Sequence, residues 1–307
     1  MDGICPCTVD RGGGPLISQT TIRDFWQTHP CGAELVGDLD QATREEYAKF
    51  FERYDDYRYA KEPHILKNID GIDWRAKRVL EIGLGQGADA EQIIERGGIY
   101  SGVDLTDESV KRVKMRFALK DLEYHRIEPA SALDLPFEDG SFDIVYSHGV
   151  LHHIPDIKNA QREVARVLKP NGRLIAMLYA RWSMNYLVSI SIARRLGLLG
   201  MYALGLKGHG IYAVHLRNAR ENGILRYLRM KNFINVSTDG PFNPYSKVYD
   251  RKEVARDFPD LEIMEMHKEF MHAPPLPVGW LPLAGVLGWH LWVTMRKKDA
   301  ATTDERR

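Results

Sequence analysis

The stretch Val79-Leu-Glu-Ile-Gly-Leu-Gly-Gln-Gly87 decides the fold. A short apolar run ends in a carboxylate and three spaced glycines, and an amphipathic stretch follows at once. Glycines at a strand end let the backbone turn tightly and approach a ligand closely. Outward from this point the texture repeats. RVLEIG (78–83) leads to a predicted helix through 91–96, then to YSGVDL (100–105) and a second helix from Thr106 or Asp107 to Lys120. EYHRIEPA (123–130), FDIVYS (142–147), a helix near 157–168 and GRLIAMLY (172–179) continue the series. Strands alternating with helices predict βαβ units, so the expected class is α/β, a Rossmann-like sheet with helices on both faces.

The flanks read differently. Residues 1–20 hold Gly12-Gly-Gly-Pro15 and little periodicity, which suggests a flexible tail, and 299–307 a second one. Residues 21–66 interleave aromatic and charged side chains and read as helical, within an N-terminal segment 21–76 ahead of a core at 77–180. After Ala180 the alternation stops: 181–250 holds an apolar helical part (185–206), a basic part (215–231) and the loop Asp239-Gly-Pro-Phe-Asn-Pro-Tyr245. A short helix from Asp250, a strand at 261–270 and a final strand near 288–296 then complete the core, within 251–298. Residues 270–295 lack any Asp, Glu, Lys or Arg and are long enough to span a bilayer, but Pro274, Pro275, Pro277 and Pro282 break the first half. A buried closing strand explains the second half, which leaves no spanning segment as the expectation and surface contact with lipid through these segments as the minor alternative.

Composition narrows the partners. A chain of 307 residues has room for one large domain or two modest ones, and 44% apolar with 27% charged residues excludes a disordered or multi-span membrane protein. Lys plus Arg and Asp plus Glu both number 42, so the basic excess usual for nucleic-acid binders is missing and no nucleic-acid partner is expected. Cys5, Cys7 and Cys31 are too few for a disulfide framework and fit a reducing, cytoplasmic setting. Cys5-Pro-Cys7 lacks the second ligand pair of a structural zinc site, and no metal is expected. The start lacks the basic and apolar regions of a secretory signal.

The glycine loop has two readings. Gly83-x-Gly85-x-x-Ala88 also satisfies the loose dinucleotide pattern, and Asp104, 21 residues past Gly83, stands where any ribose would be held. Charge separates them. Glu81 would repel a pyrophosphate but attract a cationic ligand. The third segment is LPFEDGSFDIVY (135–146) leading into Ser147-His-Gly-Val-Leu-His-His153. With 79–87 and Gly102-Val-Asp104 it resembles the class I S-adenosylmethionine-dependent methyltransferases, most of all the group around the ubiquinone/menaquinone C-methyltransferases and similar small-molecule enzymes. The resemblance covers 77–180 closely and the last two strands loosely.

It implies a seven-stranded sheet with the last strand antiparallel, and S-adenosylmethionine as cofactor with S-adenosylhomocysteine as product. Glu81, Gly83, Leu84, Gly85 and Gly87 then match the motif around the methionine part. Asp104 matches the ribose ligand, with Leu105 beside the adenine. Ser131, Ala132 and Leu133 lie where the adenine is read, Ser131 replacing the family's usual Asp, and Ser147 opens the loop beneath the sulfonium.

Methyl transfer is an in-line displacement in which alignment supplies much of the acceleration, and a base is needed only where the acceptor must lose a proton. His148, His152 and Tyr59 are the candidate bases, while His153 reads as packing or capping the next helix. Tyr59, His148, Tyr179, Arg181 and Tyr245 are candidates for the acceptor pocket. The 181–250 insertion and the N-terminal helices read as a helical lid, which favours a small-molecule acceptor on O, S, N or C, handled by a monomer or homodimer. A protein of the same fold that binds the cofactor without turnover, as a partner subunit, is the alternative. A nicotinamide-dependent dehydrogenase ranks behind both.

Overall fold

The computed structural model describes residues 17–30, 32 and 42–298. The three cysteines lie outside these residues, as does most of each expected tail. Three helices come first: α1 (Gln19–Thr28), α2 (Arg44–Lys61) and α3 (His64–Asp70). Thr43 and Glu46 close a reciprocal capping box that fixes where α2 begins. The alternating core then runs β1 (Arg78–Ile82), α4 (Ala88–Glu95), β2 (Ile99–Asp104), α5 (Asp107–Lys120), β3 (Arg126–Pro129), β4 (Phe142–His148), α6 (Ile157–Val167) and β5 (Leu168–Ala180). After it come a π-helical segment (Asn185–Arg194), α7 (Arg195–Ala203), α8 (Ile211–Asn222), α9 (Ile224–Tyr227) and α10 (Met230–Thr238). The core resumes with β6 (Val248–Tyr249), α11 (Arg251–Asp257), β7 (Leu261–Glu269), α12 (Ala284–Leu287) and β8 (His290–Lys297).

The strands form one sheet in the order β3-β2-β1-β4-β5-β8-β7, with β6 pairing β5 off that path. β1 to β5 run parallel, and β8 is antiparallel to both β5 and β7, as expected for the last strand. The count is eight where the sequence suggests seven, because two-residue β6 adds a short parallel pairing at Tyr179 and Ala180. A strand buried on both faces places successive side chains in opposite cores. Leu80, Val145, Leu174 and Ala176 pack under α6 and α11, whereas Val79, Ile144, Tyr146 and Ile175 pack on the side of α3, α4 and α5. The 181–250 insertion builds a third core around Ile190, Leu216 and Phe233, which Trp289 from beyond it completes.

Strand order reverses between β1 and β4. In open α/β sheets ligands bind beyond the carboxyl ends of the strands at such a switch point. Both signature segments of the sequence, Gly83–Gly87 and His148–His153, leave the sheet there.

Candidate active site

A cleft of about 1170 Å³, open mouth included, lies over the switch point. Its floor is the loop after β1: Glu81, Gly83, Leu84 and Gly85 line it, with Asp104 and Leu105 from the end of β2 and Ser131, Ala132 and Leu133 after β3. Gly83 has φ +84°, and a Cβ there would lie 2.1 Å from Cγ2 of Val150, which also lines the cleft. Gly83→Ala should therefore cost about 1–3 kcal/mol of stability and weaken cofactor binding, since Val150 must move. Thermal denaturation and calorimetry read both effects, and unchanged values would refute the close approach.

Asp104 has two duties. One carboxylate oxygen accepts the Leu84 amide at 2.8 Å, and the other accepts the amide and hydroxyl of Thr106 at 2.8 and 2.7 Å. These bonds tie the glycine loop to β2 and hold the Asp104 pKa down against burial, which is the larger effect and raises it. Gly87, by contrast, does not line the cleft. It caps α4 at φ +77°, where a Cβ would meet Val113 and Arg116 at 3.1 and 3.2 Å, so its role is helix entry.

Glu81 is 2% exposed and takes a hydrogen bond from the Tyr100 hydroxyl. Burial, and then the neighbouring Asp89, push its carboxyl well above the ordinary range. Asp89 is neutralised: Arg58 of α2 donates to one oxygen at 3.2 and 2.9 Å and to the other at 2.8 Å, and Tyr146 adds a fourth bond at 3.1 Å. Glu81 thus faces the cleft as a buried carboxyl with no cation paired to it among the described residues.

The walls come from both ends of the alternating core. Gln19, Ile22 and Trp26 of α1, Tyr54 and Arg58 of α2, and His148, Val150, His153 and Ile154 also line the cleft. No residue of 181–250 is among those lining this cleft, whereas α1 and α2 both contribute to it.

Several sequence candidates are placed elsewhere. Ser147 is fully buried and donates to the Ile82 carbonyl at 3.0 Å, pinning β4 to β1. His152 is fully buried with its ring 3.8 Å from that of Tyr179, outside the cleft lining. Tyr59, on α2, packs half-buried against the core, where burial pushes its phenol far above the ordinary value and withholds the phenolate a base would need. Tyr179 donates to Asp239 at 2.9 Å, and Arg181 pairs with Glu253 at 2.8 Å. Tyr245 contributes its backbone carbonyl rather than its phenol. The adjacency of His152 and His153 misleads the sequence reading, since only the fold shows which ring reaches the cleft.

His148 does reach it. Its Nδ1 lies 3.2 Å from the Arg58 guanidinium, a donor without exception, so Nδ1 must accept and Nε2 must carry the ring proton. Burial and Arg58 hold the ring neutral, well below the ordinary histidine value. His148, Glu62 and His290 place ligand atoms within 4.8 Å of one another. Arg58 sets a fixed positive charge against a cation there, and His148 has no free lone pair to offer it.

His153 is the converse. Its Nδ1 lies 2.7 Å from the Tyr245 carbonyl and therefore carries the proton, leaving the lone pair on Nε2, 3.4 Å from an oxygen of Asp239. Trp26 packs edge-on against the ring at 5.1 Å.

The methyltransferase-domain family model matches residues 80–176. The ubiquinone biosynthesis O-methyltransferase of Idiomarina loihiensis is 32% identical over 184 residues, 59% of this chain and 70% of that protein. The 27-O-demethylrifamycin SV methyltransferase of Amycolatopsis mediterranei is 36% identical over 99 residues, 32% of this chain and 36% of that one. The chain spans only 36% to 58% of the length of this and two other relatives. Among solved structures, geranyl diphosphate C-methyltransferase of Streptomyces coelicolor A3(2) superposes with a TM-score of 0.50 at 12% identity, covering 94% of this chain and all of that one, a likeness of fold. The chain belongs to the S-adenosylmethionine-dependent methyltransferases, and S-adenosylmethionine is the cofactor of this class. The cleft suits that molecule. A buried carboxyl without a counter-charge fits an ammonium, and a side chain at Gly83 would fill the cradle.

Proposed function

We propose that this protein methylates an acidic hydroxyl of a small, largely apolar molecule, within the cytoplasm, and that Glu81, Gly83, Leu84, Gly85, Asp104, Leu105, Ser131, Ala132 and Leu133 hold the cofactor. The observation that carries this reading is a single cleft with carboxylates and glycines on its floor and Ile22, Trp26, Val150 and Ile154 along its walls. Two of the relatives above carry O-methyltransfer to small molecules in their names, which supports oxygen as the acceptor atom.

S-adenosylmethionine supplies a methyl group on a sulfonium leaving group. The chain's own residues provide alignment, exclusion of water and a proton acceptor. Alignment of reacting atoms accounts for up to ~7–11 kcal/mol in favourable systems. His153 lines the cleft, and the lone pair of its Nε2 is buried against Asp239, so an acceptor must come in beside that carboxylate to reach it. An acceptor O–H gives its proton to Nε2 as its oxygen takes the methyl group, and the Asp239 carboxylate stabilises the resulting imidazolium. His148, Nε2 protonated and neutral, positions rather than deprotonates.

The test is release of S-adenosylhomocysteine from the purified protein supplied with S-adenosylmethionine and a panel of phenols, enols, amines and thiols. A hydroxyl acceptor should turn over, and His153→Gln should lower kcat by roughly 10²–10⁴-fold with cofactor affinity retained. Turnover confined to amines or thiols would overturn the acceptor class, near-wild-type kcat in His153→Gln would overturn the base, and cofactor binding without turnover would favour the partner-subunit alternative.

A further inference from the structure

The segment after β5 carries charge and apolar surface in an unusual combination. From Arg194 to Lys231 the sequence has eight Lys or Arg against a single acid, Glu221, a net of +7 in a chain of formal charge zero. The same stretch leaves Leu196, Leu199, Leu204, Leu206, Ile211 and Tyr212 exposed, Leu204 by 76%. α7 packs on both the π-helical segment and α8, so these side chains belong to one helical layer.

A second group of apolar side chains is tied to the same layer. Ser189 and Arg194 donate to the Pro274 carbonyl, and Lys268 donates to the carbonyls of Trp182 and Val286. Trp182, Trp280 and Val286 are 55%, 78% and 65% exposed. No helix among the described residues is long and apolar enough to cross a membrane.

Exposed apolar clusters on this scale mark an interaction surface. A net positive charge beside exposed apolar side chains is complementary to an anionic surface. Leucine, isoleucine and tryptophan beside basic side chains are what a helix lying in an anionic headgroup layer presents. We propose that the α7–α8 layer, with Trp182 and Trp280, docks reversibly on a bilayer rich in anionic phospholipid. The apolar side chains enter the headgroup boundary, and Lys207 and Arg217, both exposed, meet the lipid charges.

Co-sedimentation of the full chain with phosphatidylcholine vesicles, with and without phosphatidylglycerol, tests this. Binding should need phosphatidylglycerol and weaken with salt. At roughly 1 kcal/mol for each basic residue near the surface, the pair Lys207→Glu and Arg217→Glu should weaken it tenfold or more. Leu196→Asp with Leu204→Asp should do the same while leaving the circular dichroism spectrum unchanged. The charge pair keeps the question answerable if the apolar pair fails to fold. Absence of binding to the phosphatidylglycerol vesicles, or equal binding by the charge pair, would overturn the proposal. A wild-type dimer in sedimentation equilibrium that the apolar pair converts to monomer would assign the face to a second copy of the chain instead.

Discussion

Glu81→Gln is expected to weaken S-adenosylmethionine binding about 10–100-fold while raising the thermal transition of the ligand-free protein. The first effect is the loss of one charge-assisted contact to an ammonium, worth ~1.5–3 kcal/mol. The second follows from the raised carboxyl pKa. Between the ordinary glutamate value and the raised one, the folded protein keeps a proton that the unfolded chain has released. Stability therefore falls as pH rises through that window, and glutamine abolishes the fall. Each kcal/mol recovered should appear as roughly 2–4 °C in Tm. Cofactor affinity should show the reverse slope, weakening up to about tenfold for each pH unit below the raised value, because binding must expel the Glu81 proton. Calorimetry across pH reads both the slope and the released proton. A variant with wild-type affinity, or a pH slope that survives in it, would remove Glu81 from the cofactor site.

The largest loss of stability should come from the α2 anchor. Arg58→Ala strands Asp89, 4% exposed, as an uncompensated buried charge, a situation that costs ~3–5 kcal/mol. Asp89→Ala should cost a similar amount by stranding Arg58. Removing both at once should cost less than the sum, since neither charge is then left alone. Urea denaturation of the four proteins closes the cycle, and additive losses would show that the pair is not coupled. Because Arg58 and Tyr54 also line the cleft, the Arg58 variant should lose cofactor affinity along with stability.

The two effects mark the boundary of what the sequence discloses. Glu81, Gly83, Gly85 and Asp104 are legible because they lie within one strand-turn-helix unit and its neighbour, where spacing alone implies placement. Asp104 is legible as an acidic residue at the end of a strand but not as the acceptor for the Leu84 and Thr106 amides, since nothing in its type announces those bonds. Arg58 escapes notice because Asp89 lies 31 residues on and His148 lies 90. In the sequence it is one more cation on a helix crowded with charges. His153 is obscure for the same reason: the carbonyl that fixes its tautomer belongs to Tyr245, 92 residues away. The helical run expected over 21–66 overlaps α1, α2 and α3, but no pattern within it says which side chains would wall the cleft. The helical character of 185–206 is right in outline, while the π-helical hydrogen bonding over Asn185–Arg194 has no periodic signature distinct from an α-helix.

The position of β8 sets the order in which this protein can be made. It runs antiparallel between β5 and β7, pairing Arg173 through Tyr179 on one side and Leu261 through Glu269 on the other. During synthesis β5 therefore keeps most of one edge open, and β7 has no strand beside it, until residues 290–297 have left the ribosome. An unpaired apolar edge is a template for association with another chain. Holdase chaperones and slow, cool expression should accordingly matter more for the yield of this protein than for a sheet whose last strand is added at the rim.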